Sequence, residues 1–250
     1  MDQKTFYEQQ AGPLDLMTQD VNDALIRRDT FIVHCIAQAL PDAEYIFTLL
    51  ELSIGEGRLT ELLFRTFPNM KWHGTDISPN RIRYVRRMME AVPGLTRENH
   101  TFTECNLDTE FTLLESASQD FVIAMDILEH VLDVFAFVEN CSRILKTNGL
   151  LLLRVPNIAY IKHRLRLLCG KLPVTASWFG PSEDLRAWKR RHGWVGGHLH
   201  LFTLPIVIQL LMDYGFQVES CKDPGARYEY LRNIRPHLLY ANPLIVAKKA

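Results

Sequence analysis

Five polar side chains in two short segments are of the types that move protons or bind metal ions. Asp126, Glu129 and His130 follow one apolar run, and His198 and His200 lie together further along the chain. Histidine titrates nearest to neutral pH, so the three histidines are candidate catalytic bases for a hydroxyl or an amine. Asp126, Glu129, His130 and His200 could instead form a divalent metal site. In a third interpretation, His130 only braces its loop.

A second group of residues favours binding of a polar ligand. Glu51 ends an apolar run, and Gly55 and Gly57 precede residues with apolar positions at helical spacing. The pattern predicts a buried strand, a tight turn and a helix. Glycine lets the backbone approach a ligand closely, and the free N–H groups that open a helix offer donors to it. Such a turn can also join a strand to a helix without binding anything.

Asp76 stands 25 positions after Glu51, at the end of the next predicted strand. There its carboxylate can accept hydrogen bonds from both hydroxyls of a ribose, as it would in a nicotinamide enzyme. The dinucleotide pattern needs a third glycine, however, and the residue three after Gly57 is Thr60. A pyrophosphate therefore has less backbone to bind here.

These residues belong to a chain in which apolar runs and helical patterns alternate. Strands are predicted at 45–50, 71–76, 101–104, 121–125, 150–155, 216–221 and 244–248. Helices are predicted over about 20–40, from Arg58, from Pro79, over 133–145 with a stop at Asn148-Gly149, and over 160–168 and 204–214. The alternation predicts a doubly wound α/β sheet, in which the polar residues share the rim at the carboxyl ends of the strands.

Bulk composition is that of an ordinary globular protein of 250 residues, with 47% hydrophobic and 23% charged residues. The net charge of -1 disfavours a nucleic-acid partner. No apolar run reaches the roughly 18 residues of a membrane span, and the first residues resemble no signal peptide, so a cytoplasmic location without a membrane partner is expected. The five cysteines are scattered, which argues against a disulfide framework or a zinc ribbon.

Six motifs in this order resemble the class I S-adenosylmethionine-dependent methyltransferases of the small-molecule branch, over roughly residues 45–250. The motifs are Leu50–Gly57, Gly74–Ser78, Cys105–Asp108, Asp120–Val131, Gly149–Leu152 and Gly197–Thr203. The resemblance implies a Rossmann-like fold with a seven-stranded, mostly parallel sheet, and S-adenosylmethionine as the cofactor. It implies that the cofactor-binding residues are Glu51, Ser53, Gly55, Gly57, Asp76, Ile77, Asn106, Leu107, Met125 and Asp126.

Two positions depart from the family pattern, which has glycine where Ser53 stands and an acid where Asn106 stands. Serine permits the turn if its φ is negative, and asparagine can bind an adenine amino group through its side-chain carbonyl. The departures also motivate an alternative function, in which the protein keeps the fold as a binding or partner protein but has lost turnover.

The chain is predicted to be one domain, 1–250, with a helical cap at 1–42 and a lid over the acceptor at 156–200. Between Arg154 and His192 the chain has nine lysines and arginines against two acids. Aromatic residues, Trp178, Phe179, Trp188 and Trp194, surround the charged run in this segment. The basic excess favours an anionic acceptor, but a solvated face over packed tryptophans would have the same composition.

The prediction is methyl transfer to a small-molecule acceptor, with oxygen preferred over nitrogen or carbon and no metal assigned. The metal set named above supports an alternative, because it is similar to the pattern of small-RNA 3′-terminal ribose 2′-O-methyltransferases. Asp126 replaces the usual first glutamate of that pattern, and no RNA-binding extension is evident. A homodimer is left open as the assembly.

Overall fold

A seven-stranded sheet forms the centre of the computed structural model, which describes residues 19–90, 99–173, 175, 197–224 and 232–250. The strands are β1 (Thr48–Leu52), β2 (Lys71–Asp76), β3 (His100–Glu104), β4 (Gln119–Met125), β5 (Leu145–Arg154), β6 (Phe216–Lys222) and β7 (Leu244–Lys249). Their order is β3-β2-β1-β4-β5-β7-β6, and every neighbouring pair is parallel except the two that contain β7. The predicted doubly wound sheet is confirmed, and its strand order reverses between β1 and β4, where a ligand crevice is expected.

The helices surround this sheet close to the predicted positions. They are α1 (Gln19–Ala39), α2 (Arg58–Thr66), α3 (Pro79–Glu90), α4 (Val134–Ile144), α5 (Ile161–Leu168), α6 (Leu204–Asp213) and α7 (Pro236–Leu239). α4 begins after Asp133, whose carboxylate accepts hydrogen bonds from the N–H groups of Phe135 and Ala136, both at 2.9 Å. This cap sets the direction in which the chain leaves the loop after β4.

The predicted helix stop at Asn148-Gly149 is wrong. The α4 helix ends at Ile144, and β5 begins at the next residue. Asn148, at φ 65°, and Gly149 lie inside β5, where the pairing register with β4 shifts. The two turn-forming residues therefore make an irregularity in a strand, a role that the same local chemistry supports.

Alternate residues of the central strands point to opposite faces of the sheet, and both faces are covered. Leu50, Leu52, Val122 and Ala124 join a core with residues of α4 and α6. Leu49, Phe121 and Ile123 join a second core, which includes Ile32 and Ile36 of α1 and residues of α2 and α3. Burial on both faces explains why these strands are continuous apolar runs.

The predicted insertion, 156–200, begins and ends side by side. Ile158 N–H donates to the carbonyl of Phe202 at 2.8 Å, and Asn157 N–H donates to the carbonyl of Ala241 at 2.8 Å. α5 lies within the insertion, and none of its residues is buried.

Some predictions for the cap and the insertion fall on residues that are not described. Residues 1–18 of the predicted cap lie outside the described residues, as do the four aromatic residues and the charged run of the insertion. Among the helices that are described, none is both long and apolar enough to cross a bilayer.

Candidate functional site

The turn between β1 and α2 has left-handed backbone at three positions. Ser53, Gly55 and Gly57 have φ values of 57°, 56° and 73°. Ser53 thus does not meet the condition of a negative φ, and a serine here adopts the left-handed conformation that favours glycine. A Cβ on Gly57 would lie 2.7 Å from Cγ1 of Val85 in α3, so packing as well as φ requires glycine there.

Asp76 at the end of β2 fixes this turn from the neighbouring strand. One carboxylate oxygen accepts a hydrogen bond from Gly55 N–H at 3.1 Å, and the other accepts one from Ser78 N–H at 2.9 Å. The residue is only 2% exposed. Burial raises the pKa of its carboxyl, while the nearby charge of Arg81 lowers it.

Glu51 is held in the same manner at the end of β1. Its Oε2 accepts hydrogen bonds from Thr60 Oγ1 at 2.8 Å and from Trp72 Nε1 at 3.0 Å. Burial raises the pKa of Glu51 to about 7, against the lowering effect of these two hydrogen bonds. Glu51 therefore ties β1 to α2 and β2 directly beneath the turn.

Two adjoining cavities open at this rim, and Ser53 and Asp126 line both of them. The first has a volume of about 180 Å³ and is lined by residues that follow β2, β3 and β4, including His130. The second, of about 290 Å³, lies between α1 and the turn after β1. All ten residues that the sequence predicts for cofactor binding line one cavity or the other. Their role as cofactor ligands stays a prediction.

Asn106 belongs to a loop that connects two walls of the first cavity. Its Oδ1 accepts a hydrogen bond from Asp108 N–H at 3.0 Å, which leaves a second lone pair on that oxygen. Asp108 Oδ1 accepts from Leu132 N–H at 2.7 Å, so the loops after β3 and β4 are joined. Asp108 also lines the cavity, although the sequence-based set did not include it.

Asp126 lies at the meeting point of the two cavities and is flanked by arginines. Its φ is 53°, and its Oδ2 forms an ion pair with Arg154 at the end of β5. Nη1 of Arg28, in α1, lies 4.0 Å from the same oxygen, and Nη2 of Arg28 pairs with Asp29 Oδ1 at 2.5 Å. Burial raises the pKa of Asp29, and the charges of Arg28 and Arg58 lower it.

These arginines and Asp29 were missed by the sequence-based prediction, which assigned α1 only to a cap. A signal was present, because Asp29 falls in the stripe of Leu25, Ile32 and Ile36 at helical spacing. An acid on the buried side of an amphipathic helix needs a cation nearby. The residue that supplies one, Arg28, directly precedes it in the sequence.

Glu129, His130 and His198 form a group that we call the Glu-His-His cluster. The three side chains each offer a ligand atom, and these atoms all lie within 4.8 Å of one another. The two imidazole rings meet edge to face with centroids 4.8 Å apart. His130 Nδ1 lies 2.7 Å from the carbonyl oxygen of Gly197, and His198 Nδ1 lies 2.9 Å from Thr175 Oγ1.

Burial dominates the electrostatics of the cluster. It lowers the pKa of His130, partly offset by the hydrogen bond to Gly197, and it lowers the pKa of His198 to about 4. Burial also raises the pKa of Glu129 well above its usual range, and the charge of Asp126 raises it further.

His200 is not in the cluster, although it was a candidate base and a member of the predicted metal set. The carbonyl of Glu129 accepts hydrogen bonds from Leu199 N–H at 2.8 Å and from His200 N–H at 3.2 Å. These bonds hold the returning chain against the loop after β4 in a way that brings His198, and not His200, to Glu129 and His130. Asp126, the other member of that set, is paired with Arg154 instead.

Comparisons with known sequences find similarity over the segment that carries most of this rim. Residues 50–151 match a family described as a methyltransferase domain. The ubiquinone biosynthesis O-methyltransferase of Methylocella silvestris is 32% identical over 130 residues, which are 50% of this chain and 48% of that protein. The chain thus spans about half the length of the curated relative that it matches.

Solved structures share the fold. The magnesium protoporphyrin IX methyltransferase of Synechocystis PCC 6803, solved with bound SAH, matches with a TM-score of 0.61 and 15% identity over 99% of this chain and 95% of its own. A SAM-dependent methyltransferase of Methanosarcina mazei matches with a TM-score of 0.60 and 19% identity over 86% of this chain and 96% of its own.

Proposed function

We propose that the chain carries a class I S-adenosylmethionine-dependent methyltransferase domain and that it methylates a hydroxyl oxygen of a small-molecule acceptor. The observation that carries the proposal is the pair of adjoining cavities, which all ten predicted cofactor-binding residues line and which His130 borders. The relative whose name specifies O-methylation supports an oxygen acceptor.

The residues of the two cavities fit S-adenosylmethionine, which supplies an electrophilic methyl group when bound. Asp76 would accept hydrogen bonds from the ribose hydroxyls, and Asn106 would bind the adenine amino group. Arg28 and Glu51 line the second cavity and offer opposite charges to the carboxylate and the ammonium of the amino-acid end. We call the part of the site formed by Glu51–Gly57 and Asp76 the cofactor end.

A hydroxyl acceptor carries a proton that must leave, and the Glu-His-His cluster with Asp126 lies where that proton would be taken. We call this part of the site the acceptor end. Because a carbonyl can only accept, His130 donates its Nδ1 hydrogen to Gly197 and keeps a lone pair on Nε2. Its lowered pKa keeps the ring neutral at neutral pH, so it can act as the base.

An anionic acceptor is the finer part of the proposal. The basic excess of the insertion supports it, and the described part of that insertion places exposed Lys162 and Arg164 on α5. Arginine and lysine on the segment that returns to the acceptor end would favour a carboxylated or phosphorylated acceptor over its neutral analogue.

Titration calorimetry with S-adenosylmethionine tests the cofactor end. Asp76→Ala should weaken binding by about 2 kcal/mol, or roughly thirtyfold, because the ribose loses its acceptor and the loops after β1 and β2 each lose one hydrogen bond. Glu61→Ala, which removes a half-buried acid that pairs with Arg65, is the matched control and should bind normally. Equal affinity of the Asp76 variant and the wild type would contradict the site.

Product formation tests the reaction. The candidate acceptors are phenols and their aniline analogues, each with and without a carboxylate. S-adenosylhomocysteine should form faster with the phenols than with the anilines, and fastest with the carboxylated phenols. Transfer to the anilines alone would overturn the oxygen acceptor. Cofactor binding with no transfer to any acceptor would favour the alternative of a silent fold.

A further inference from the structure

The Glu-His-His cluster has the composition and placement of a metal site. Glu129 and His130 come from the loop after β4, and His198 comes from the chain that returns after the insertion, 68 residues beyond His130. Two backbone hydrogen bonds to the carbonyl of Glu129 hold the two segments together. Residues far apart in sequence are thus fixed at one point by the backbone.

Glu129 is the strongest indication that something is bound there. Its side chain is 1% exposed, and in the part of the chain that the structure describes neither carboxylate oxygen has a hydrogen-bond partner. A buried carboxylate normally has hydrogen bonds, a counter-charge or a metal ion. Arg154, whose charge acts on Glu129, is paired with Asp126 instead.

The histidines are oriented as metal ligands usually are. Metal-binding imidazoles commonly donate one ring nitrogen to a carbonyl or another polar oxygen, which leaves the other nitrogen for the metal. His130 has Gly197 as this outer partner, and His198 has Thr175. Each ring thus has an outer partner at Nδ1, and both rings belong to the group whose ligand atoms lie within 4.8 Å of one another.

We infer that Glu129, His130 and His198 hold one divalent transition-metal ion at the acceptor end. Two imidazoles and one carboxylate suit Zn²⁺, Mn²⁺, Fe²⁺ or Co²⁺ better than Mg²⁺ or Ca²⁺, which prefer oxygen ligands. Three protein ligands leave coordination positions open for an oxygen of the acceptor. Asp126 and His200, members of the set that the sequence suggested, are not ligands.

This inference rests on the proposed function and refines it. A hydroxyl bound to the metal has a lowered pKa, so its O–H bond breaks with the proton passing to solvent water and the electron pair staying on oxygen. His130 then acts as a ligand and not as the base.

Metal binding is measured directly on the full-length chain after removal of bound metal with a chelator. Titration with Co²⁺ should give visible absorption that saturates at one equivalent, and Zn²⁺ should compete with it. Glu129→Gln and His198→Ala should each weaken Co²⁺ binding at least about tenfold. His200→Ala should bind Co²⁺ as the wild type does, because His200 lies outside the cluster. It is a close control, since it is only two residues from the proposed ligand His198.

Folding of the variants is checked by circular dichroism, and His34→Ala, an exposed histidine on α1, controls for loss of any imidazole. Wild-type protein should also unfold at a higher temperature with Zn²⁺, and His198→Ala should not respond. No saturable Co²⁺ binding by the wild type, or loss of binding in His200→Ala but not in His198→Ala, would overturn the inference.

Activity separates this inference from the proposed function. If the metal-free protein methylates a phenol at the full rate, the metal role fails while the proposed function stands. If the protein binds one Co²⁺ through the cluster but transfers no methyl group to any acceptor, the metal site stands and the proposed function fails.

Discussion

The cofactor end and the acceptor end differ in how their buried carboxylates are satisfied. At the cofactor end, Asp76 and Glu51 each accept two hydrogen bonds from neighbouring elements. At the acceptor end, Glu129 accepts none through its side chain within the described residues, and one oxygen of Asp126 likewise has no partner there.

The difference separates two kinds of preorganisation. The carboxylates of the cofactor end stabilise the loop that forms the cavity, so that end is complete before a ligand arrives. The acceptor end holds polar groups together at a cost in stability, which only a ligand or a metal ion offsets. Replacing the carboxylate of Asp76 and that of Glu129 by an amide should therefore have opposite effects on the free energy of unfolding.

Gly57→Ala should have the largest effect on stability, because it disturbs the tightly packed turn of the cofactor end. The new Cβ would lie within 2.9 Å of Val85 and Met88, at a residue with φ of 73°. Overpacking and left-handed strain together should lower the free energy of unfolding by about 4 kcal/mol, measured by urea denaturation.

Gly170→Ala separates the two causes. Gly170 also has a positive φ, of 67°, but a Cβ there would meet nothing within 4 Å. This variant should lose only about 1 kcal/mol, from strain alone. Equal losses in the two variants would show that packing against α3 does not constrain the turn.

The pH dependence of stability should report Glu51. Its pKa is about 7 in the folded protein against 4.5 as the ordinary value, so between these pH values the folded state holds a proton that the unfolded state has released. The contribution of Glu51 to the free energy of unfolding therefore falls by up to about 3 kcal/mol as the pH rises from about 4.5 to 7. Above that range it is constant. Glu51→Gln should remove this slope.

Urea denaturation at pH 5 and pH 8 measures the effect. Asp120→Asn is the control, because the hydrogen bond from Lys146 and those from Thr48 lower the pKa of Asp120. The stabilising contribution of Asp120 is lost only as the pH falls below the ordinary pKa of this carboxyl, 3.8. Asp120→Asn should therefore change the free energy of unfolding by the same amount at pH 5 and at pH 8. If the wild type and Glu51→Gln differ in free energy of unfolding by the same amount at pH 5 and pH 8, burial does not keep Glu51 protonated.

Glu129→Gln should stabilise the metal-free protein by on the order of 1 kcal/mol, because an amide is less costly to bury than a carboxylate without partners. Thermal unfolding in the presence of a chelator at pH 8 measures this gain. Asp76→Asn, at the other end, should lose stability, since its new amide donor faces backbone N–H groups. A loss in both variants would remove the contrast between the two ends.

Ser53→Gly should give the smallest effect, a gain of about 1 kcal/mol in unfolding free energy from relief of left-handed strain. Ala117→Gly is the matched control, because Ala117 has a φ of 49° in an exposed turn remote from the cavities. Both variants should be more stable, but calorimetry should show altered cofactor affinity only for Ser53→Gly. Altered affinity in both would mean that the change is not local.

The sequence predicted those parts of the site that depend on local patterns. Glu51 and Asp76 lie at the ends of apolar runs, and parallel strands bring such ends to one rim, so a one-dimensional pattern was enough to place them together. The position of Asp126 was predicted in the same way, because Asp126 comes directly after the apolar run that forms β4.

Other features depend on contacts between distant segments. Whether His198 or His200 reaches Glu129 is decided by which N–H groups bond to one carbonyl, and two histidines at i and i+2 give no local preference. The positive φ at Ser53 could not be predicted either, because serine has no local preference for the left-handed region. Arg28 reaches Asp126 only because α1 lies over the turn, although Asp29 in its apolar stripe indicated a buried charge.

The hydrogen bond from Ile158 to Phe202 has an evolutionary consequence. It joins the two ends of the insertion at the surface of the sheet, so the segment between them can lengthen, shorten or be replaced at small cost in loop-closure entropy and without moving the strands. In the proposed function this insertion covers the acceptor, so the part of the chain that would contact the acceptor is also the part most easily exchanged. New acceptors could be acquired by recombination of this one segment, while the cofactor end is inherited unchanged.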